Sequence, residues 1–159
     1  MNSGDATNRG VVIVGVDGSE ASKEALRWAL RYAHMAGVTV HALTAWQYPS
    51  NYAWAPGILD QIDPEGDAER TLKETVGEVT GLYPDVTVQS DVVHGFPGLA
   101  LVGAATRAEL LVVGSRGHGT FAGMLLGSVS EHCVHHAKCP VMVVHHASPP
   151  PPPPATGHR

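Results

Sequence analysis

The chain has 159 residues, of which 43% are hydrophobic and 16% are charged, a balance typical of one globular domain with a sizeable core. A formal net charge of −5 argues against a surface dedicated to nucleic acid or anionic lipid. No apolar run approaches the roughly 20 residues of a transmembrane helix, and residues 1–10 lack the hydrophobic core of a signal peptide. We therefore predict a cytoplasmic protein.

Short aliphatic runs alternate with stretches of helical periodicity along the chain. Strands are predicted over the aliphatic runs: residues 11–16, 38–46, 86–93, 110–113 and 141–145. Helices are predicted between them: from the N-cap Ser19 to Gly37, over 65–82, a short helix from Pro97, and over 128–137. This alternation predicts βαβ units with right-handed crossovers, and therefore an α/β fold with a doubly wound, open, five-stranded parallel sheet and helices on both faces.

The two ends of the chain differ in composition from its middle. Residues 1–9 are small and polar and are predicted to form a flexible arm. Residues 149–154 are six consecutive prolines, which favour polyproline II and cannot add to a core. We predict a disordered tail over 147–159, which is either a solvated spacer or a ligand for a proline-binding domain. The folded domain is then predicted over residues 10–146.

A glycine-rich turn separates the fourth strand from the last helix. Its glycines are Gly114, Gly117, Gly119, Gly123 and Gly127. Glycines let a backbone approach a ligand closely, and the N–H groups at a helix start favour an anion. The spacing Gly114-x2-Gly117-x9-Gly127-Ser128 is neither a Walker A loop nor GxGxxG. It predicts a phosphate-binding turn of another kind, formed by Gly114, Gly117, Gly127 and Ser128, which we call the phosphate cradle. The alternative is a plain turn with Ser128 as an N-cap.

This spacing resembles the ATP-binding signature of the universal stress protein family. Five segments resemble motifs of that family in the same order: VGVDGS (14–19), VVHGFP (92–97), LLVVGSRGHG (110–119), LLGSVS (125–130) and CPVMVV (139–144). The resemblance covers residues 10–146 and implies an adenine nucleotide alpha hydrolase-like sheet with strand order 3-2-1-4-5. In that order strands 1 and 4 are neighbours, and ligands bind in the crevice at their carboxyl ends. Asp17 and Gly114 are therefore expected to meet there.

The resemblance also implies roles for individual residues. The predicted nucleotide-binding residues are Val16, Asp17, Ala45, Val93, Gly95, Gly114, Arg116, Gly117, Gly127, Ser128 and Val129. Asp17 is expected to bond the ribose or to orient a metal-bound water, although an Asx turn with Gly18 and Ser19 is the alternative. The Ala45 backbone is expected to read the adenine edge, with Val16, Val93 and Gly95 as walls.

Charged and metal-binding candidates are fewer. Arg116 and, with less weight, His118 either compensate phosphate charge or point into solvent. His132, His135 and His136 have helical spacing, which permits zinc chelation, but we interpret them as exposed histidines because no acidic or cysteine ligand completes a set. Cys133 and Cys139 match no zinc or redox spacing. We interpret them as structural thiols.

The sequence therefore predicts an ATP-binding universal stress protein, a cytoplasmic, nucleotide-dependent stress-response module. Mg²⁺ is implied because a triphosphate on an acidic protein needs local compensation. The resemblance implies a homodimer through the C-terminal strand, 141–144, and an unidentified signalling partner. Two alternatives stay open: a slow ATPase or self-phosphorylating enzyme that uses the same pocket, and a sensor of another adenine nucleotide such as AMP or cyclic AMP. The sequence contains no nucleophile–base set and no HExxH motif, so it predicts no dedicated catalysis.

Overall fold

A computed structural model describes residues 10–50, 57–117 and 126–146. Strands and helices alternate through these ranges: β1 (Val11–Gly15), α1 (Glu20–Ala36), β2 (Thr39–Trp46), α2 (Pro64–Val79), β3 (Val88–His94), α3 (Pro97–Ala104), β4 (Leu110–Gly114), α4 (Ser128–His136) and β5 (Val141–Val144). The predicted arm 1–9 and tail 147–159 lie outside the described residues, as do His118, Gly119 and Gly123 of the glycine-rich turn.

The five strands form one parallel sheet in the order β3-β2-β1-β4-β5. The predicted fold class and strand order are therefore confirmed. Val14 of β1 lies opposite Ala42 of β2 on one side and Val112 of β4 on the other. Because β1 and β4 are direct neighbours, the chain leaves their carboxyl ends at adjacent points of one sheet edge.

Each face of the sheet is covered by two helices. On one face, α1 and α2 pack over a buried cluster that includes Val12, Val14, Val40, Leu26 and Leu72. On the other face, α3 and α4 pack over a second cluster that includes Ile13, Leu43, Leu111, Leu101 and Cys133. Alternate residues of β1 and β4 thus enter different clusters, which explains why these strands are continuous aliphatic runs.

Helix boundaries follow local backbone chemistry. α1 ends where Gly37 adopts φ 70° and donates its N–H to the Ala33 carbonyl over 2.8 Å, as its glycine predicts. The predicted helix 65–82 is shorter as an α-helix, because it ends at Val79 and continues as a 3₁₀ turn, Thr80–Leu82. The next residue, Tyr83, precedes Pro84, and a proline disfavours helical backbone in the residue before it. The helical segment therefore ends at Leu82.

The two cysteines are free thiols, and Cys139 borders the core cluster that holds Cys133. Burial raises the pKa of Cys133 to about 11, so its thiol stays protonated and unreactive at neutral pH. In the three described ranges, no helix has both the length and the apolar composition needed to cross a bilayer.

Candidate functional site

The carboxyl ends of β1 and β4 open onto a cavity of about 280 Å³. The starts of α1, α3 and α4 and the end of β2 complete its wall. Most of the predicted binding residues line it: Val16, Asp17, Ala45, Gly114, Arg116, Gly117, Gly127, Ser128 and Val129. The structure therefore brings the first and fourth strand motifs together at the crevice that the strand order predicts.

Val93 and Gly95 do not line this cavity. Val93 packs against the core cluster beneath α3 and α4, and the Gly95 N–H donates to the Trp46 carbonyl over 2.8 Å at the end of β3. The physical reason is the strand order, because β2 stands between β3 and the crevice. Leu43, Leu101 and Val113 provide the apolar wall that was expected from these two residues.

The start of α1 has a side-chain cap. The Asp17 carboxylate accepts hydrogen bonds from the Ser19 N–H at 2.9 Å and the Ser19 hydroxyl at 2.5 Å. The same Ser19 hydroxyl accepts from the Ser22 N–H at 3.2 Å, as an N-cap does. The Asx turn is thus present, and the carboxylate that makes it also lines the cavity.

The start of α4 is built differently. Its N-cap is Gly127, which offers no side-chain acceptor. The first helical hydrogen bond runs from the Glu131 N–H to the Gly127 carbonyl, at 2.9 Å. The N–H groups of Ser128, Val129 and Ser130 precede it and so have no acceptor within the helix. They stand at the positive end of the helix dipole and at the cavity wall.

One predicted phosphate donor is already engaged. The Gly127 N–H donates to the Ser115 carbonyl over 2.7 Å, so it holds the chain together rather than facing a ligand. The alternative role for Ser128 also changes, because Gly127 takes the N-cap position and Ser128 is the first, exposed residue of α4. Among the described residues, the first turn of α4 therefore offers the N–H groups of the cradle that lie at the cavity without an acceptor in the helix.

Two glycines have different physical reasons for lacking a side chain. A Cβ on Gly114 would lie 2.9 Å from the backbone carbonyl carbon of Ala21, so this glycine lets α1 pack directly on the end of β4. A Cβ on Gly117 would lie 2.5 Å from Oδ2 of Asp17. Gly117 thus keeps the glycine-rich turn in close approach to the Asp17 carboxylate.

The charges along the described lining nearly cancel. Arg116 is the one cation and Asp17 the one carboxylate among the lining residues that the structure describes, and Arg116 is exposed. A bound polyphosphate would therefore meet little net positive side-chain charge. In the described part of the chain, backbone N–H groups and the helix dipole supply further positive potential at the cavity.

The histidines of α4 lie apart from this chemistry. His135 and His136 are exposed, but the interpretation as an exposed histidine is wrong for His132, which is half-buried. The His132 ring packs on Gly98 and meets the Phe96 ring edge-on, with ring centroids 5.8 Å apart. Across residues 10–50, 57–117 and 126–146, no group of three or more His, Cys, Asp or Glu side chains is arranged to hold a metal ion.

Several residues at the crevice were not among the predicted binding residues. Ser22 and Ser130 are buried hydroxyls in the first turns of α1 and α4, and Leu101 reaches the cavity from α3. A serine near a helix start is ordinary in any sequence, so the burial of its hydroxyl becomes visible only when the elements are packed.

Comparison with known proteins places this geometry in a family. The model of the universal stress protein family matches residues 8–145. The chain belongs to the universal stress protein family. Two universal stress proteins of Mycobacterium tuberculosis are 42% and 41% identical to it over 132 residues, which are 83% of this chain. Those residues are 44% of each relative, so the chain spans about half the length of the curated relatives it matches.

Solved structures share the same fold. The universal stress protein UspA from Lactobacillus plantarum has a TM-score of 0.70 at 20% identity, covering 85% of this chain and 97% of that one. A universal stress protein in complex with cAMP has a TM-score of 0.65 at 30% identity, covering 87% and 98%. A family member from Arabidopsis thaliana with AMP bound has a TM-score of 0.62 at 23% identity, covering 87% and 93%. Adenine nucleotides thus occupy related proteins of this fold.

Proposed function

We propose that this chain is an ATP-binding universal stress protein, a nucleotide-dependent regulatory module of the stress response. The observation that carries the proposal is the start of α4, which faces the cavity without a side-chain cap. A helix start of this kind favours a phosphate because three aligned N–H groups and the dipole point at it. The relative that holds cAMP supports an adenine nucleotide as the ligand class.

The lining residues divide between the two ends of such a ligand. The N–H groups of Ser128, Val129 and Ser130 and the Ser128 hydroxyl bind phosphate oxygens, while Gly117 allows close backbone approach. Val16, Leu43 and Ala45 form an apolar wall suited to the base, next to the Ala45 backbone. Asp17 is placed to accept from ribose hydroxyls or from water on a bound Mg²⁺. Mg²⁺ is part of the proposal because Arg116 alone leaves most of a triphosphate's charge uncompensated.

The assembly and surroundings of the module belong to the same proposal. β5 pairs with β4 on one side, and Val141, Met142 and Val143 are only partly buried. An apolar strand at a sheet edge is a template for a second strand. We therefore propose a homodimer through β5, with residues 10–146 as the folded unit, in the cytoplasm. Nucleotide occupancy would bias the surface around the crevice toward a signalling partner, since a ligand shifts the state it binds better.

Isothermal titration tests the ligand. Purified protein is titrated with ATP, AMP and cAMP, each with and without Mg²⁺, after any co-purified small molecule has been identified by mass spectrometry and removed. We expect ATP to bind most tightly, and to bind more tightly with Mg²⁺. Tighter binding of AMP or cAMP would reassign the ligand, and no binding of any of the three would contradict the proposal. Release of ADP from MgATP, abolished in Asp17→Ala, would instead identify an enzyme.

A further inference from the structure

Buried hydroxyl groups of the described residues concentrate around the crevice. The buried polar residues in these ranges are Ser22, Thr44, Thr75, Ser115 and Ser130. All except Thr75 belong to segments that end or begin at the crevice. The Thr44 hydroxyl donates to the Val16 carbonyl over 2.8 Å, and the Ser22 hydroxyl to the Ser19 carbonyl over 2.9 Å. Hydroxyls in this part of the molecule therefore hold backbone carbonyls in fixed places.

Ser130 makes the most connected of these contacts. Its side-chain oxygen lies 3.1 Å from the Ser115 carbonyl oxygen and 3.0 Å from that of Gly127, so one proton serves both acceptors. Ser115 directly follows β4, and Gly127 is the N-cap of α4. The hydroxyl thus joins the end of a strand to the start of a helix across the eleven positions of the sequence that lie between Ser115 and Gly127.

The same point is fixed a second time by the backbone. The Gly127 N–H donates to the Ser115 carbonyl over 2.7 Å, so this carbonyl accepts from both sides of the α4 start. A helix start held at one place by two hydrogen bonds presents its remaining N–H groups in one direction. A site that is set before the ligand arrives loses less free energy to ordering on binding.

We propose that Ser130 is a positioning residue for the phosphate end of the nucleotide site. Its hydroxyl fixes the first turn of α4 relative to β4, and the N–H groups of Ser128 and Val129 then face the cavity. The inference rests on the function proposed above. Ser130 is expected to affect the binding of the phosphates but not that of the base. The base is proposed to contact Leu43 and Ala45, which belong to β2 and are held by the sheet.

Removing this hydroxyl leaves no buried carbonyl without a partner. In Ser130→Ala the Ser115 carbonyl still accepts from the Gly127 N–H, and the Gly127 carbonyl still accepts from the Glu131 N–H. An unsatisfied buried group is the expensive consequence of losing a hydrogen bond, and it does not arise here. We therefore expect the variant to fold, with a looser start of α4.

The test compares phosphate-bearing and phosphate-free ligands. ATP and adenosine are titrated calorimetrically into wild type, Ser130→Ala and Ser130→Thr, which restores a hydroxyl. Thr75→Val is the matched control, because it removes a buried hydroxyl from α2, away from the crevice. We expect Ser130→Ala to bind ATP roughly three- to tenfold more weakly, the range for one lost hydrogen bond, with adenosine affinity unchanged. Ser130→Thr should recover most of the ATP affinity, and Thr75→Val should match wild type.

Amide hydrogen exchange without ligand gives a second, independent measurement. Residues 127–131 should exchange faster in Ser130→Ala than in wild type, while β1 and β2 exchange alike in both. Equal ATP affinity in wild type and Ser130→Ala, an equal loss for ATP and adenosine, or unchanged exchange at 127–131 would each overturn the positioning role. If wild type binds adenosine but not ATP, or neither, the proposed function itself fails, which is a different result.

Discussion

Two helices begin at the same crevice and differ in how their first turns are satisfied. α1 follows β1 through Asp17 and Ser19: the Ser19 hydroxyl caps the helix, and the Asp17 carboxylate accepts from Ser19. Both first turns carry one acidic residue, Glu20 in α1 and Glu131 in α4. α4 follows β4 through Gly127, which contributes no side-chain cap. Both dipoles point their positive ends at the cavity. A side chain of the protein caps the first helix, and we propose that a ligand takes this role at the second.

The difference can be expressed as free energy. An N-cap glycine is less favourable than an N-cap serine by only a few tenths of a kcal/mol, so α4 loses about that much stability by beginning at Gly127. A phosphate at the same place can supply the missing acceptors and more, since hydrogen bonds to charged groups are the stronger ones. The cap of α1 therefore stabilises that helix with or without a ligand. We expect the start of α4 to gain comparable stability only when a nucleotide is bound.

The largest effect on stability is expected from a substitution at the contact between α1 and the end of β4. Gly114→Ala places a Cβ 2.9 Å from the backbone of Ala21, in the first turns of α1. Overpacking of this kind costs about 1–3 kcal/mol of unfolding free energy, measured by urea denaturation. Gly77→Ala is the control, because a Cβ there meets no atom within 4 Å and α2 should become slightly more stable. Equal behaviour of the two variants would contradict the close packing of α1 on β4.

An acidic side chain at the α4 start should separate stability from binding. Ser128→Asp puts a carboxylate where the phosphate is proposed to bind, so ATP affinity should fall about tenfold or more through like-charge repulsion and competition for the N–H groups. The same charge should raise the unfolding free energy by about 0.3–1 kcal/mol through the helix dipole. Ser128→Asn separates charge from size in calorimetry and denaturation. Unchanged ATP affinity in Ser128→Asp would mean that the start of α4 does not bind the phosphates.

Removing one serine hydroxyl at the start of each helix tests the comparison directly. Ser19→Ala removes the N-cap of α1 and a donor to Asp17, and should lower the unfolding free energy by about 1 kcal/mol. Ser128→Ala removes an exposed hydroxyl that caps nothing, and should stay within about 0.5 kcal/mol of wild type. Urea denaturation without nucleotide measures both. Similar losses in the two variants would mean that the helix starts are not built differently.

The smallest effect is expected from the exposed cation at the cavity. Arg116→Ala should weaken ATP binding roughly two- to fivefold at low ionic strength, and the difference should shrink as salt screens the charge. Arg70→Ala, which removes an exposed arginine of α2 paired with Asp67, should leave ATP affinity unchanged at every salt concentration. A salt-independent effect of Arg116→Ala would mean that the side chain acts through packing rather than charge.

The sheet could be predicted closely because its signal is local. The aliphatic run 11–16 corresponds to β1, Val11–Gly15, and the run 110–113 to β4, Leu110–Gly114. Boundaries shifted where the backbone rather than the hydrophobic pattern decides, as at Val79. The strand order itself came from the resemblance, because alternation alone does not say which strands are neighbours.

The site was harder to predict, and for a different reason. Glycine spacing pointed to the loop, but the engagement of the Gly127 N–H by Ser115 depends on two segments meeting in space. The roles proposed for Val93 and Gly95 failed to match the cavity for a similar reason, since β2 separates them from it. Ser130 ends the LLGSVS segment, but nothing in the sequence indicated a role for its hydroxyl. Contacts between distant segments determine these details, and no single stretch of sequence records them.

The hydrogen bond between Ser115 and Gly127 closes a ring in the backbone, and this has an evolutionary consequence. The closure entropy of such a ring grows by only about 0.6 kcal/mol for each doubling of its length. Closing the ring therefore places little constraint on how many residues it contains. If its length is nevertheless held constant among descendants of this sequence, the constraint must come from something other than the closure itself.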